Sequence, residues 1–302
     1  MRDEALHAVV IGGSGFVGRG LLRKLGPDAG IGTFWRNPFP GGVPFDAASE
    51  DFAALRRSLP GGLTHVFINH GIVNPEACAA DPEGTAKVNV DGICRLIDAA
   101  LADGLFPVFL STDYVFDGSR GGWRETDTPR PVTRYGEQKL VVERHLMEQP
   151  RPFLIVRLGK VVGADPSIHS VLGQAVPDIR ARKPMRLATD QIMAPVWVED
   201  AAALLVNLAE ERATGIYHVA GPERFSRMDL MRLLVDSIQI EDPSARVEIT
   251  ACSLHDLPFL ERRPLDTSLS NAKLQARYRW PFKPMAALCA EIAKAEFGNG
   301  RP

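Results

Sequence analysis

His7-Ala8-Val9-Val10-Ile11-Gly12-Gly13-Ser14-Gly15-Phe16-Val17-Gly18 carries the reading of the fold. A short β-rich run enters a glycine cluster, after which Phe16, Val17, Leu21, Leu22 and Leu25 recur at helical spacing until Gly26-Pro27 closes them. The segment reads as strand, tight turn, helix. Glycines stand at 12, 15 and 18, and the G-x-G-x-x-G spacing is also met from Gly13. Side chains there would keep a pyrophosphate from the helix N-terminus, whose free amides and dipole attract it. Gly12, Ser14, Gly15, Phe16, Val17 and Gly18 are therefore candidate dinucleotide contacts; the plain alternative is a connecting loop.

The same alternation continues outward. Residues 31–35 predict a second strand, 52–59 a helix, 64–69 a third strand and 82–102 a long helix; 108–110 is a further strand, 134–147 a helix and 153–158 another buried strand. Strands alternating with helices imply right-handed crossovers and a parallel sheet covered on both faces. The expected class is α/β, a doubly wound parallel sheet of Rossmann type with a smaller, mostly helical C-terminal substrate lobe. Beyond Gly163 the pattern loosens at Pro166, Pro177 and Pro184, whereas 198–209 reads as a packed helix and 215–220 as a strand that rejoins the sheet. Residues 1–163 are read as the dinucleotide-binding domain, with 190–220 returning to it. The substrate lobe is assigned to 164–189 and 221–302, helical with short turns from Ser226, and the tail past Phe297 should fray.

With 302 residues, 45% of them hydrophobic, the chain can bury a large core, and its net charge of -2 offers no electrostatic footprint for nucleic acid or an anionic membrane. No apolar run reaches the length of a membrane span and the start resembles no signal peptide, so a cytoplasmic protein is expected. Cys78, Cys94, Cys252 and Cys289 are scattered without a close pair, which argues against a zinc site or a disulfide framework. They read as reduced, mostly buried side chains without chemistry.

A proton-donor site is legible further on. Ser111-Thr112-Asp113-Tyr114-Val115-Phe116-Asp117-Gly118 follows a strand, and Tyr135-Gly136-Glu137-Gln138-Lys139 lies on a predicted helix. Tyr135 and Lys139, four apart, share a helix face, so the ammonium can lower the phenol's pKa. A hydroxyl at Thr112 could hold a substrate oxygen against that phenol. Thr33-Phe34-Trp35-Arg36-Asn37 ends the second strand with an arginine where an acid would serve the NAD ribose; Arg36, with Asn37 beside it, suits a 2′-phosphate. NADP(H) is therefore preferred and NAD(H) admitted, and a solvated surface arginine is the alternative. Asp46 could accept from the adenine amino group or cap a helix. Asn69, His70 and Gly71 end the third strand at the same edge and are read as cofactor lining. Asn89 could anchor a water or the lysine, or make an inter-helix hydrogen bond.

These residues resemble the extended short-chain dehydrogenase/reductase family, and within it the dTDP-4-dehydrorhamnose reductases. Ser111 to Gly118 looks like that subfamily's hallmark; Asp190-Gln191-Ile192-Met193-Ala194-Pro195, Gly215 to Gly221 and Arg263-Pro264 are similar to its later features. The resemblance implies that Thr112 binds the substrate carbonyl, Tyr135 donates the proton, Lys139 holds the cofactor ribose and tunes Tyr135, and Asp113 contacts the sugar. It further implies NADPH-dependent reduction of a 4-keto-6-deoxysugar carried on a nucleoside diphosphate; relatives often pair as homodimers on long helices such as 82–102 and 134–147, whose apolar positions are equally explained by the sheet they cover. Gln191 and Arg263 are candidate substrate contacts. Of the basic residues Arg180, Arg182, Lys183 and Arg186, most read as a solvated face, although guanidinium groups suit phosphates.

One departure concerns specificity. Where the rhamnose-forming enzymes typically show a tryptophan, this chain has Gly159-Lys160-Val161-Val162, which exchanges stacking for charge and points to a different sugar or nucleotide. The acids such enzymes use for magnesium have no match here, so no metal is assigned. Epimerases of the family usually carry Ser-Ser in place of the hallmark, and dehydratases an acid pair after the threonine, whereas Asp113 is followed by Tyr114. A regulatory subunit of methionine adenosyltransferase is also similar to these reductases, so a non-catalytic NADP-binding subunit stands as the alternative to an enzyme.

Overall fold

The computed structural model describes residues 5–164 and 170–298. Pro166 and the tail from Asn299, two features named above, lie outside the described residues. Seven strands make one sheet: β1 (Ala8–Ile11), β2 (Gly30–Phe34), β3 (Val43–Pro44), β4 (His65–Ile68), β5 (Phe106–Thr112), β6 (Leu154–Leu158) and β7 (Gly215–Val219). Their order is β7-β6-β5-β4-β1-β2-β3, and every pairing is parallel. The doubly wound Rossmann-type α/β class expected from the alternation is the fold observed. The chain reverses its direction of travel across the sheet between β1 and β4, and that switch leaves a crevice at the carboxyl ends of the strands.

The period-2 geometry of a strand sends neighbouring residues to opposite faces, so a strand buried on both sides must be apolar throughout. β1 obeys this: Ala8 and Val10 pack with Leu21, Leu204 and Leu205, and Val9 and Ile11 with Ile93, Ile97 and Leu146. The first face is covered by α1 (Phe16–Leu25) and the helix Val198–Glu210, the second by α2 (Phe52–Ser58), α3 (Ile93–Ala102) and α4 (Arg134–Met147). Each large aliphatic side chain fully buried in these layers contributes about 1.5–3 kcal/mol of transfer free energy. Such burial holds even the seven-residue α2, too short to persist as an isolated helix.

Two expectations need correction. The long helix anticipated over 82–102 is three pieces: a helix at Pro82–Ala86, a widened π-helical turn at Lys87–Gly92, and α3. Wide turns of this kind accommodate a residue that the regular helix cannot place, and the side chain so displaced here is Asn89, which leaves its own helix to bond the backbone of Ile72. The C-terminal part is also less helical than expected, because Ile249–Cys252 pairs in parallel with Met185–Ala188. This is a non-local pairing, which helical periodicity does not report. A separate core gathers Leu172, Val176, Leu230, Leu234, Leu288 and Ile292 from the helices Val171–Arg180, Arg227–Glu241 and Met285–Phe297.

Candidate active site

The glycine turn is built so that its atoms cannot be crowded. Gly12 has φ of +83°, a region that side chains avoid, and a Cβ there would sit 2.6 Å from the Asn69 carbonyl oxygen. A methyl on Gly18 would run into the Gly12 carbonyl. These contacts press α1 against the ends of β1 and β4. Gly15 caps α1 without a side-chain hydrogen bond, so the first-turn amides of this ten-residue helix remain available to an anion. Ser14 contributes its backbone: its amide bonds Thr33 and its carbonyl accepts from Arg19.

At the end of β2, Arg36 and Asn37 are exposed, and the Arg36 guanidinium lies 3.7 Å over the Trp35 ring. Stacking of this kind pre-orients the planar fork while leaving its edges free to bond. Asp46 does not take the helix-cap role considered for it. Its carboxylate accepts from the Ala48 amide and the Ser49 hydroxyl, both at 2.9 Å, closing its own turn, and the cap of α2 is Asp51. His70, read as cofactor lining, is buried edge-on to Trp35 with ring centroids 6.0 Å apart, and its Nε2 has no partner among the described residues. Burial lowers its pKa, with Asp46 opposing.

Asn89 clamps the chain that leaves β4. Its Oδ1 accepts from the Ile72 amide at 2.7 Å, and its Nδ2 donates to the Ile72 carbonyl at 2.9 Å and to Gln138 Oε1 at 2.8 Å. Gln138, on α4, donates in turn to Thr85 at 2.9 Å. Of the roles considered for Asn89, the inter-helix bond is present; the contact to the lysine is not, and the backbone clamp is additional.

The last residues of β5 are tied to successive turns of α4. Lys139 Nζ donates to the Leu110 carbonyl at 3.0 Å, the Ser111 hydroxyl donates to Glu143 Oε1, and the Thr112 hydroxyl stands close enough to the Tyr135 phenol to act on its pKa. Thr112 Oγ1 also accepts from the Tyr114 amide at 3.2 Å and donates to Asp113 at 3.1 Å. Burial raises the Tyr135 pKa, and the Thr112 hydroxyl opposes it. Lys139 is not among the main causes of this shift in the free protein, where its ammonium donates to a main-chain carbonyl. Lys139 itself is lowered to about 8 by burial, with Glu143 opposing. Asp113 is raised by burial, against a hydrogen bond with Thr267 and the charge of Lys160.

A cavity of about 360 Å³ joins these parts. Its walls bring together Gly15, Phe16 and Val17 from the turn, Asn69 and Gly71 after β4, and Thr112, Asp113, Tyr135 and Lys139. Tyr114 and Lys160 line it as well. Lys160 is open to the cleft yet ringed by protein, so partial desolvation lowers its pKa, with Arg227 adding to the effect and Asp113 opposing. His70, Asp46, Gln191 and Arg263 are not in this wall. Gln191 accepts a hydrogen bond from the Arg227 amide through its carbonyl. Arg263 is buried against Glu76 and Phe259, with one guanidinium nitrogen unpartnered among the described residues. Arg180 and Lys183 pair with Glu296 and Asp178, as a solvated face would.

Two charged residues escaped the sequence reading: Glu143 and Arg157. Arg157 Nη2 bonds Glu143 Oε2 at 2.7 Å, both side chains being buried. Their signal was present. A charge inside the apolar run of β6 requires a buried partner, and Glu143 stands two turns beyond Tyr135 on the same helix face. Among the described residues no group of three or more histidines, cysteines, aspartates or glutamates is arranged to hold a metal ion, and no helix is long and apolar enough to cross a membrane.

Known proteins place this geometry in context. Methionine adenosyltransferase 2 subunit beta of Pongo abelii is 26% identical over 298 residues, which cover 92% of this chain and 85% of that protein. A dTDP-4-dehydrorhamnose reductase of Aggregatibacter actinomycetemcomitans is 29% identical over 202 residues, or 64% of this chain and 67% of that protein. Among solved structures, the dTDP-4-dehydrorhamnose reductase of Bacillus anthracis str. Ames in complex with NADP aligns at a TM-score of 0.80 and 20% identity over 97% of this chain and 99% of that one. The Thermus thermophilus UDP-glucose 4-epimerase complex with NAD aligns at 0.79 and 22%, over 97% and 100%. At such identities the structures share the fold. The family description "RmlD substrate binding domain" matches residues 6–295. With its parallel sheet, its glycine turn and a match that runs nearly from end to end, the chain belongs to the RmlD substrate binding domain family, among the extended short-chain dehydrogenase/reductases.

Proposed function

We propose that this protein is an NADPH-dependent reductase of a keto sugar carried on a nucleoside diphosphate. The observation that carries the reading is the single cavity in which the bare N-terminus of α1 meets Thr112, Tyr135 and Lys139. The turn fits a dinucleotide: its glycines leave no side chain in the way, and Arg36 offers a guanidinium where a 2′-phosphate would lie. NADPH is thus the preferred cofactor and NADH the weaker one; when bound, it would supply hydride to the carbonyl carbon. The chain's own residues then do three things. Thr112 holds the carbonyl oxygen, Tyr135 gives that oxygen its phenolic proton, and Lys139 holds the ribose and favours the phenolate left behind. Asp113 and Lys160 face the sugar, and a cation at Lys160 selects a sugar with polar or anionic substituents over one that stacks on an aromatic ring.

A second reading has its own support. Several relatives are methionine adenosyltransferase 2 beta subunits, at 25–26% identity over 92% of this chain. On that reading the same cavity binds NADP without turnover, and the chain is a binding subunit. The test is to mix the protein with NADPH and a panel of nucleoside-diphosphate 4-keto-6-deoxysugars, including dTDP-4-keto-L-rhamnose, and follow absorbance of the reduced nicotinamide. Oxidation with one of them supports the reductase and names its substrate class. Tight NADPH binding with no turnover on any sugar favours the binding subunit.

A further inference from the structure

Behind the cavity lies a charged core that the proposed reaction does not use. Glu143 follows Tyr135 and Lys139 at eight and four residues on α4, so the three share one face of the helix. Its carboxylate is fully buried and takes two oxygens' worth of contacts from Arg157: Nε at 3.0 and 3.2 Å, Nη2 at 2.7 Å. It also accepts from Ser111, the residue before Thr112. Arg157 is held in turn by the Phe116 ring, 5.2 Å away, and approaches His218 Nε2 at 3.5 Å. A buried pair of this quality is weak evidence for stability, since well-packed apolar residues often do as well. Its position, one turn behind the Lys139 ammonium, points to another use.

We propose that Glu143 is a positioning residue of the reduction site, acting through Lys139 and Ser111: its carboxylate places a negative charge behind the ammonium and anchors the strand end that presents Thr112. The inference rests on the reductase reading for its purpose and on the buried geometry for its substance. Lys139 lies in an apolar setting that favours the neutral amine, and a neutral amine attracts neither a ribose hydroxyl nor a phenolate as an ammonium does. The groups facing it are Tyr135 and Glu143 from its own helix, Cys78 from Pro75–Ala80, His70 beyond β4 and the Leu110 carbonyl from β5; Arg157 on β6 and His218 on β7 lie across Glu143. Within that set Glu143 opposes the desolvation most, ahead of Cys78. Arg157 pairs with the Glu143 carboxylate, and the Ser111 bond ties it to β5.

The test reads Lys139 directly. The full chain is treated with acetic anhydride at a series of pH values from 6 to 10, and acetylation of Lys139 is followed by peptide mass spectrometry, since only the neutral amine reacts. Glu143→Gln keeps the shape and an acceptor for Ser111 but removes the charge. The midpoint of reactivity is expected to fall by about one pH unit, giving roughly fivefold faster acetylation near pH 7. Because Glu143→Gln leaves Arg157 without its partner, the double variant Glu143→Gln/Arg157→Leu, which removes both charges, is measured alongside; it should also fall, by less. Ser111→Ala, which keeps both charges, should hold the wild-type midpoint. A midpoint that stays put in either charge-removing variant while thermal melting shows it folded overturns the proposal. The readout needs neither NADPH nor sugar, so a failed sugar panel would count against the reductase reading alone.

Discussion

Replacing Asn89 by alanine probes the clamp on which the cavity wall depends. The variant strips the Ile72 amide of its bond at 2.7 Å, takes from the Ile72 carbonyl its bond at 2.9 Å, and leaves Gln138 Oε1 without the donor at 2.8 Å. The carbonyl keeps the weaker Cys78 thiol at 3.4 Å, so two groups lose their partner outright and one is weakened. An unsatisfied buried polar group costs about 1–3 kcal/mol, and water entering from the cleft recovers part of it, so the expected loss is about 2–5 kcal/mol. For a chain of this size that is a drop of roughly 3–8 °C in melting temperature. The segment released runs from Asn69 to Ile72, which includes two residues of the cavity wall, so NADPH affinity should fall about tenfold or more in fluorescence titration. Asn89→Asp keeps the acceptor for Ile72 but not the donors and should fall between. A melting temperature within about 2 °C of wild type, together with unchanged NADPH binding, would refute the view that this side chain holds the β4 end.

Tyr135→Phe should lower turnover at least about 100-fold while leaving NADPH affinity within about twofold, since the phenol acts on the substrate oxygen; retained turnover in a stopped-flow assay would remove it as the proton donor. Arg36→Ala should weaken NADPH by about tenfold and NADH hardly at all, and equal losses in paired titrations would dismiss the 2′-phosphate contact. Stability should also fall in acid because of His218. Its pKa is lowered to about 3 by burial and then by Arg157. The folded state therefore refuses a proton that the unfolded chain accepts below about 6.5, so stability is full above that pH and is lost as the pH falls toward about 3. Between about pH 6.5 and 4.5 the contribution is about 2–3 kcal/mol, and urea midpoints of wild type and His218→Gln over that range should diverge by it; parallel curves would show that His218 titrates normally.

Much of the architecture was legible because it is periodic. Apolar runs of strand length alternating with helical spacing lead to a parallel sheet by sterics and handedness alone, and a glycine cluster between the first strand and helix has few uses other than close approach. Tyr135 and Lys139 were legible for the same reason, since four residues on a helix are neighbours wherever the helix goes. Edges were less secure: β5 runs to Thr112, beyond the three apolar residues that announced it, because its last two side chains are polar but buried against α4. His70 and Asp46 lie in segments whose place is legible and whose side-chain direction is not.

By itself the sequence determined the alternating strands and helices of the central sheet, that those strands pair in parallel, and that a dinucleotide turn and a Tyr/Lys helix face would meet at one sheet edge, because these follow from local periodicity and chain handedness. The tertiary structure alone decided that Lys139 bonds a carbonyl, that Asn89 leaves its helix to hold Ile72, and that Glu143 and Arg157 find each other across α4 and β6. Those contacts join residues 14 to 29 apart in the chain, and a buried polar group takes whichever partner the packed core brings within reach.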